Sequence, residues 1–347
     1  MRPDDLQSLT PRTAMQRFLD RRRSDDTTAP ETVQSYADRL GRFVRWCEGE
    51  GILNVNDLGG RHLDDYWQFR RESLNDVSLK NEFSTIKKLL EYLVAIEAVE
   101  PDMPDKAAML KPTLSKKQRS NDRKLGSERA EEILAYLEKF HYASRDHAMM
   151  LLLWHTACRR GDFESLDVED FHEEDGYVEF KHRPAEGTRL KNGFDGERAN
   201  ALGTVLGTSV AEVLGDYIRE NRIEQTDQHD RRPLFTTERG RIAKTTIQRN
   251  VYALTQPCFV GECPVEEIDP ETCEALDHGY ESKCPESLSP HRIRTGAITH
   301  MRESGMGVDA VSERVDATAE TIRAHYDRSD ERDLMEHRRT EVEKLAF

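Results

Sequence analysis

From Pro30 onward, apolar side chains return every three or four residues at Val33, Tyr36, Leu40, Phe43, Val44 and Cys47, then stop at Gly49 and Gly51. That spacing puts them on one face of a helix, and the glycines end it. Leu79, Phe83, Ile86, Leu90 and Leu93 repeat the pattern and predict a helix over 78–97. A shorter one is expected over 61–72. Thr10 followed by Pro11 reads as an N-cap with proline in the first turn, opening a helix to about Arg23. The four helices predict a small helical domain over 8–100. Between 101 and 121 the periodicity collapses into Pro101, Pro104 and Pro112 interspersed with Lys111, Lys116, Lys117 and Arg119. This predicts a basic linker, suited either to a phosphate backbone or to simple solvation.

A second region, 122–340, has a different pattern. Helices are predicted over 128–140, 145–157, 210–222, 245–255, 290–303, 308–314 and 319–328. The 145–157 segment, capped by Ser144, is apolar enough to be a central core helix. Tyr177, Val178, Glu179 and Phe180 alternate, and 187–206 is rich in glycine, which predicts a β-hairpin or a three-stranded sheet. The expected fold class is mainly α with a small antiparallel β-sheet. Two domains also suit 347 residues, too many for one ordinary core. No internal repeat stands out.

Composition complicates the choice of partner. Acidic residues number 66 against 51 basic ones, a formal charge of −15, the wrong sign for a protein that binds a polyanion. The basic residues are locally dense, however, at Arg21–Arg23, Lys111–Lys124 and around Arg231, Arg232, Arg239 and Arg241, and arginine far outnumbers lysine. An acidic, lysine-poor surface suits a cytoplasm of very high salt, so a halophilic source of archaeal type is expected. Such salt weakens counterion-release binding, which throws weight onto contacts inside a closed site. The most apolar stretch, Ala148–Trp154, is far short of a membrane span, and Met1–Ser24 is polar. A cytoplasmic protein with no membrane partner is expected.

The residues that carry chemistry are Arg159, Lys191, His291, Arg294 and Tyr326. Singly each is ordinary: an arginine after a helix, a lysine in a glycine-flanked turn, a His-x-x-Arg at a helix start, a packed tyrosine. Together they are the groups needed to attack a phosphodiester without a metal, since two guanidiniums supply the charge a cation would otherwise bring. His291 and Arg294 stand three apart in a helix that Ser289 is expected to cap and Pro290 to open, so both can reach one phosphate.

The string Thr156-Ala157-Cys158-Arg159-Arg160-Gly161-Asp162-Phe163-Glu164-Ser165-Leu166 resembles the Thr-Gly-Leu-Arg-Ile-Ser-Glu-Leu-Leu-Ser-Leu segment of the tyrosine recombinases, the phage-integrase and Xer-type family. His291-Arg292-Ile293-Arg294 and His325-Tyr326 follow in the same order. The resemblance implies a two-domain clamp over double-stranded DNA, with a core-binding domain and a catalytic domain. It further implies cutting and rejoining of strands through a covalent 3′-phosphotyrosyl intermediate in a homo-tetramer. By the same resemblance Arg159 and Arg294 bind the scissile phosphate with His291, Tyr326 is the nucleophile, and Lys191 is the general acid, with Lys181 as the fallback. Asp162 is expected to orient neighbours. No cofactor is expected for the chemistry. One departure concerns the family's Leu-Gly-His string about nine residues before the tyrosine. Here Arg314-Val315-Asp316-Ala317-Thr318 has neither His nor Trp, so His325 substitutes, the contact is dispensable, or activity is reduced. Two other functions stay open on the residues: a type IB topoisomerase-like relaxing enzyme, and a DNA-binding accessory protein that has lost catalysis.

Of six cysteines, Cys47 and Cys158 sit in apolar helical segments as core residues. Cys258, Cys263, Cys273 and Cys284 crowd into an insertion over 258–284 that also holds His278. In a cytoplasmic chain this set predicts a structural zinc site ahead of free thiols or redox chemistry, although no Cys-x2-Cys pair is present.

Overall fold

The structure is a computed structural model describing residues 8–25, 28–115, 123–265, 269 and 272–326. Lys116, Lys117 and Arg119 of the expected basic linker lie outside the described residues. The chain divides into two compact units, Met1–Asn121 and Asp122–Phe347.

The first unit is helical. Helix α1 (Pro11–Arg23) begins where Thr10 accepts a hydrogen bond from the Thr13 N–H, and α2 spans Pro30–Gly49. Helix α3 (Gly60–Arg71) precedes α4 (Asp76–Ala95), whose N-cap is Asn75. The 101–121 reading needs correction, because a fifth helix, α5 (Met103–Met109), lies inside the segment read as linker. Pro104 sits in its first turn, where a missing N–H costs nothing, and Met103, Pro104 and Ala107 are buried against α4. Proline opens this helix instead of forbidding it.

Glu82 of α4 is 2% exposed and ties this unit together. It accepts from the Tyr66 hydroxyl at 2.6 Å and from Arg70 Nε at 2.7 Å, with Arg42 at 3.7 Å. Burial, and then the Glu82 carboxylate, push the Tyr66 phenol well above its ordinary range. Removing the carboxylate would strand a buried hydroxyl and a shielded guanidinium. Glu82→Ala should therefore destabilise the first unit by about 3 kcal/mol, read as a lower denaturant midpoint. An unchanged midpoint would contradict this.

The second unit begins with α6 (Ser127–Phe140) and α7 (Arg145–Thr156). As expected, α7 is central: every residue from His147 to Trp154 is buried, and Ser144 caps it by accepting from the His147 N–H. A short α8 (Arg160–Ser165) leads to a three-stranded antiparallel sheet of β1 (Phe171–His172), β2 (Tyr177–Phe180) and β3 (Arg198–Ala201), with Val178 opposite Asn200. Two small hairpins that the sequence reading missed, β4–β5 (Thr204–Val205 with Thr208–Ser209) and β6–β7 (Thr236–Thr237 with Gly240–Arg241), flank α9 (Val210–Asp216). Strands of two residues are too short for any periodicity to show. Helix α9 relaxes into a π-turn over Tyr217–Asn221.

Then come α10 (Lys244–Leu254), α11 (Pro290–Glu303), α12 (Val308–Val315) and α13 (Ala319–Tyr326). Ser289 occupies the N-cap position of α11, but its side chain makes no capping hydrogen bond, contrary to expectation. Helix α11 lies close against the chain at Leu125: a Cβ on Gly296 would fall 2.0 Å from the Leu125 carbonyl oxygen. Glycine is required there by contact. Among the described residues, no helix is long and apolar enough to cross a membrane.

Candidate active site

Helix α7 ends on Ala157, whose φ of 49° is left-handed. This residue reverses the chain, so Arg159 does not trail α7 as a partner for its dipole but heads α8. Its N–H donates to the Asp162 carboxylate at 3.2 Å, as an acidic residue in a first helical turn does. Asp162 is 1% exposed and also receives Arg198 Nη2 at 2.8 Å. Arg198, on β3, lies over the Phe180 ring at 4.3 Å and donates Nε to the Arg314 carbonyl at 2.9 Å. The expected orienting role of Asp162 thus has a concrete form, a buried carboxylate linking the Arg159 turn to the sheet.

The two candidate phosphate-binding arginines meet at the same two chain segments. Arg159 donates one Nη to the Asp316 carboxylate and the other to the Asp316 carbonyl. Arg294, on α11 and 6% exposed, donates to the Ala157 carbonyl at 2.7 Å and to the Val315 carbonyl at 2.8 Å. One guanidinium is therefore anchored on residues 157 and 315, and the other extends from residue 159 to residue 316.

His291 stands one turn before Arg294 with its surface open. Its imidazole is held below the ordinary histidine range, first by loss of solvent around it, then by the charges of Arg292, Arg294, Lys191 and Arg159. All these causes act in one direction, which keeps the ring neutral near pH 7. The Lys191 charge acts on the ring in the same direction as the arginines. Lys191 is exposed beside buried Leu190, whose N–H donates to His182 Nδ1 at 3.0 Å. Its neighbour Asn192 donates Nδ2 to Asp316 at 2.8 Å. Lys181, the fallback, is paired with Glu179 at 2.5 Å and Asp170 at 3.4 Å, and these partners raise its pKa.

Tyr326 is the last residue of α13, which Thr318 caps at 3.2 Å and buried Ile322 pins down. That helix packs on α11 and α12, the elements carrying Arg294 and Asp316. The side chains of Tyr326 and of His325, the suggested substitute, lie outside the described residues.

Cys47 and Cys158 are buried, as expected of core residues. Cys258, Cys263, Cys273 and Cys284 are half-buried thiols. Three of them lie on or beside the 3₁₀ turns Pro257–Phe259, Glu274–Leu276 and Glu281–Lys283, and the buried Gln256 amide joins the last two by bonds to the Ala275 and Glu281 carbonyls. Among the described residues, no group of three or more His, Cys, Asp or Glu side chains is arranged to hold a metal.

The sequence does not single out Arg198 or Asn192, and it marks Asp316 only as a departure from the family's string. Periodicity could not have found them.

Residues 123–332 match the phage integrase family, and residues 15–97 match the phage integrase N-terminal SAM-like domain. Tyrosine recombinase XerC of Pseudomonas syringae pv. syringae is 24% identical over 159 residues, 45% of this chain and 52% of that protein, so this match spans about half the relative's length. XerC of Pseudomonas savastanoi pv. phaseolicola is 22% identical over 311 residues, 88% of each chain. Among solved structures, the Tn1549 transposon integrase in complex with a circular intermediate DNA superposes with a TM-score of 0.66 at 13% identity, covering 95% of this chain and 99% of that one, a likeness of fold. With the family match extending over the whole stretch from the Arg159 turn to the Tyr326 helix, this chain belongs to the phage integrase family.

Proposed function

We propose that the chain is a site-specific DNA recombinase that cuts and rejoins strands through Tyr326. The observation that carries this reading is the meeting of Arg159 and Arg294 on segments 157–159 and 315–316, with His291 and Lys191 in the same field. Two guanidiniums offer the paired donors that a phosphate's oxygens accept, and they favour both the pentavalent transition state and an ionised phenol. The Tyr326 phenol gives up its proton to solvent and its oxygen attacks phosphorus, the 5′-oxygen leaves with a proton from Lys191, and the bond energy is kept in a 3′-phosphotyrosyl ester. A free 5′-hydroxyl from another strand reverses the step. One nucleophile per chain cuts one strand, and exchange between two duplexes requires four cuts, hence four copies on double-stranded DNA.

Incubating the protein with a nicked suicide duplex tests the reading. A covalent protein–DNA adduct is expected, and its absence under conditions where the protein binds the duplex would sink the proposal. One observation favours a second reading, a DNA-binding protein with little cutting activity: Arg159 is already engaged by Asp316. The same assay separates the two.

The proposal assigns no metal to the chemistry. A structural zinc on Cys258, Cys263, Cys273 and Cys284 would require the four thiols to draw in from their present positions. Metal analysis of purified protein tests this expectation: zinc bound at about one equivalent per chain supports it, and none overturns it.

A further inference from the structure

We propose that Asp316 is an internal anion seated where the DNA phosphate goes, holding Arg159 until a backbone phosphate displaces it and so setting how tightly the site takes DNA. This rests on the reading that the two-arginine site accepts a phosphate. A carboxylate and a phosphate present similar oxygens to a guanidinium, and Arg159 spends donors from both terminal nitrogens on this one residue. Asn192 steadies the other carboxylate oxygen at 2.8 Å. The Asp316 side chain is 11% exposed, and one of its oxygens would lie only 3.1 Å from a Cβ on Gly196. The carboxylate is thus seated in a fitted place between Arg159, Asn192 and the Gly196 backbone.

The backbone supplies a second, independent argument. Asp316 ends α12 with φ 52° and ψ 59°, the left-handed turn that glycine or asparagine fills at least cost. Either would close the helix equally well. Aspartate adds a negative charge beside a required cation, at the one spot where an incoming phosphate meets it as a rival. If the carboxylate stays, it repels the phosphate; once it leaves, it must take up a cation from solution. That uptake cancels one counterion released from the DNA.

The cancellation gives the test. Binding of a fluorescent duplex of arbitrary sequence is followed by anisotropy across a salt series for wild type, Asp316→Asn and Asp316→Gly. Asp316→Asn keeps the shape and the left-handed turn without the charge, and Asp316→Gly keeps the turn alone, so one variant suffices if the other folds poorly. Both should bind roughly tenfold tighter at moderate salt, with a log K against log salt slope steeper by about one. Equal or weaker binding with an unchanged slope would show that Asp316 only positions Arg159, overturning the proposal. Adduct formation on the nicked duplex keeps the two readings apart. Tighter binding with no adduct from any form would leave Asp316 as the rival anion and sink strand cutting, whereas an adduct with unchanged binding would sink only the rival anion.

Discussion

Replacing Tyr326 with phenylalanine should cut covalent capture of a nicked duplex by roughly 10⁵-fold, to below detection, while binding of the same duplex is unchanged. The phenolic oxygen is the one atom proposed to bond phosphorus, and the substitution removes that atom while keeping the ring. Helix α13 should persist, since its cap on Thr318 and its buried anchor at Ile322 do not involve residue 326. Other tyrosines are poor substitutes. Tyr217 is fully buried, and its phenol is pushed upward chiefly by that burial; Tyr66 belongs to the first unit and serves Glu82. An adduct of undiminished yield from Tyr326→Phe would mean that the nucleophile is elsewhere.

Arg294→Ala should lose about 10³-fold in the rate of adduct formation and also lower stability by about 3 kcal/mol. The double effect follows from the two bonds that Arg294 makes to the Ala157 and Val315 carbonyls, which join the turn after α7 to the end of α12. Without the guanidinium both buried acceptors lose a partner, and the two segments that carry Arg159 and Asp316 are no longer pinned together. Arg294→Lys restores a charge but not a fork able to span two carbonyls, so it should recover part of the stability and little of the rate. Arg159→Ala makes the contrast. Its side chain is 20% exposed and ends on one residue, so the rate should fall comparably with a much smaller shift in melting temperature. An Arg294→Ala protein that melts and reacts like wild type would contradict the site described above.

The helices were largely legible because each buries a broad apolar face that repeats in the sequence. The 78–97 expectation met a helix at Asp76–Ala95, and 145–157 met Arg145–Thr156. Legibility failed where the deciding contact is distant. Helix α5 is too short to show a period, and what makes it a helix is burial of Met103 and Ala107 against α4. Ser289 has the right residue type and position for a cap, yet makes no capping bond. At the site, residue order named Arg159, Lys191, His291, Arg294 and Tyr326 but gave no reason for an aspartate at 316. That reason is visible only where Arg159, Asn192 and Asp316 meet across more than a hundred positions of chain.

By itself, then, the sequence determined the mainly helical class with a small antiparallel sheet, and the ordered set of cationic and nucleophilic residues. Helical periodicity and short motifs are local, and local information survives in one dimension. Tertiary structure alone decided which carbonyls hold Arg294, that Arg198 and Arg159 share Asp162, and that Arg159 is occupied by a carboxylate. Those outcomes depend on charges brought together through a low-dielectric interior, where distance in space and not along the chain sets the energy.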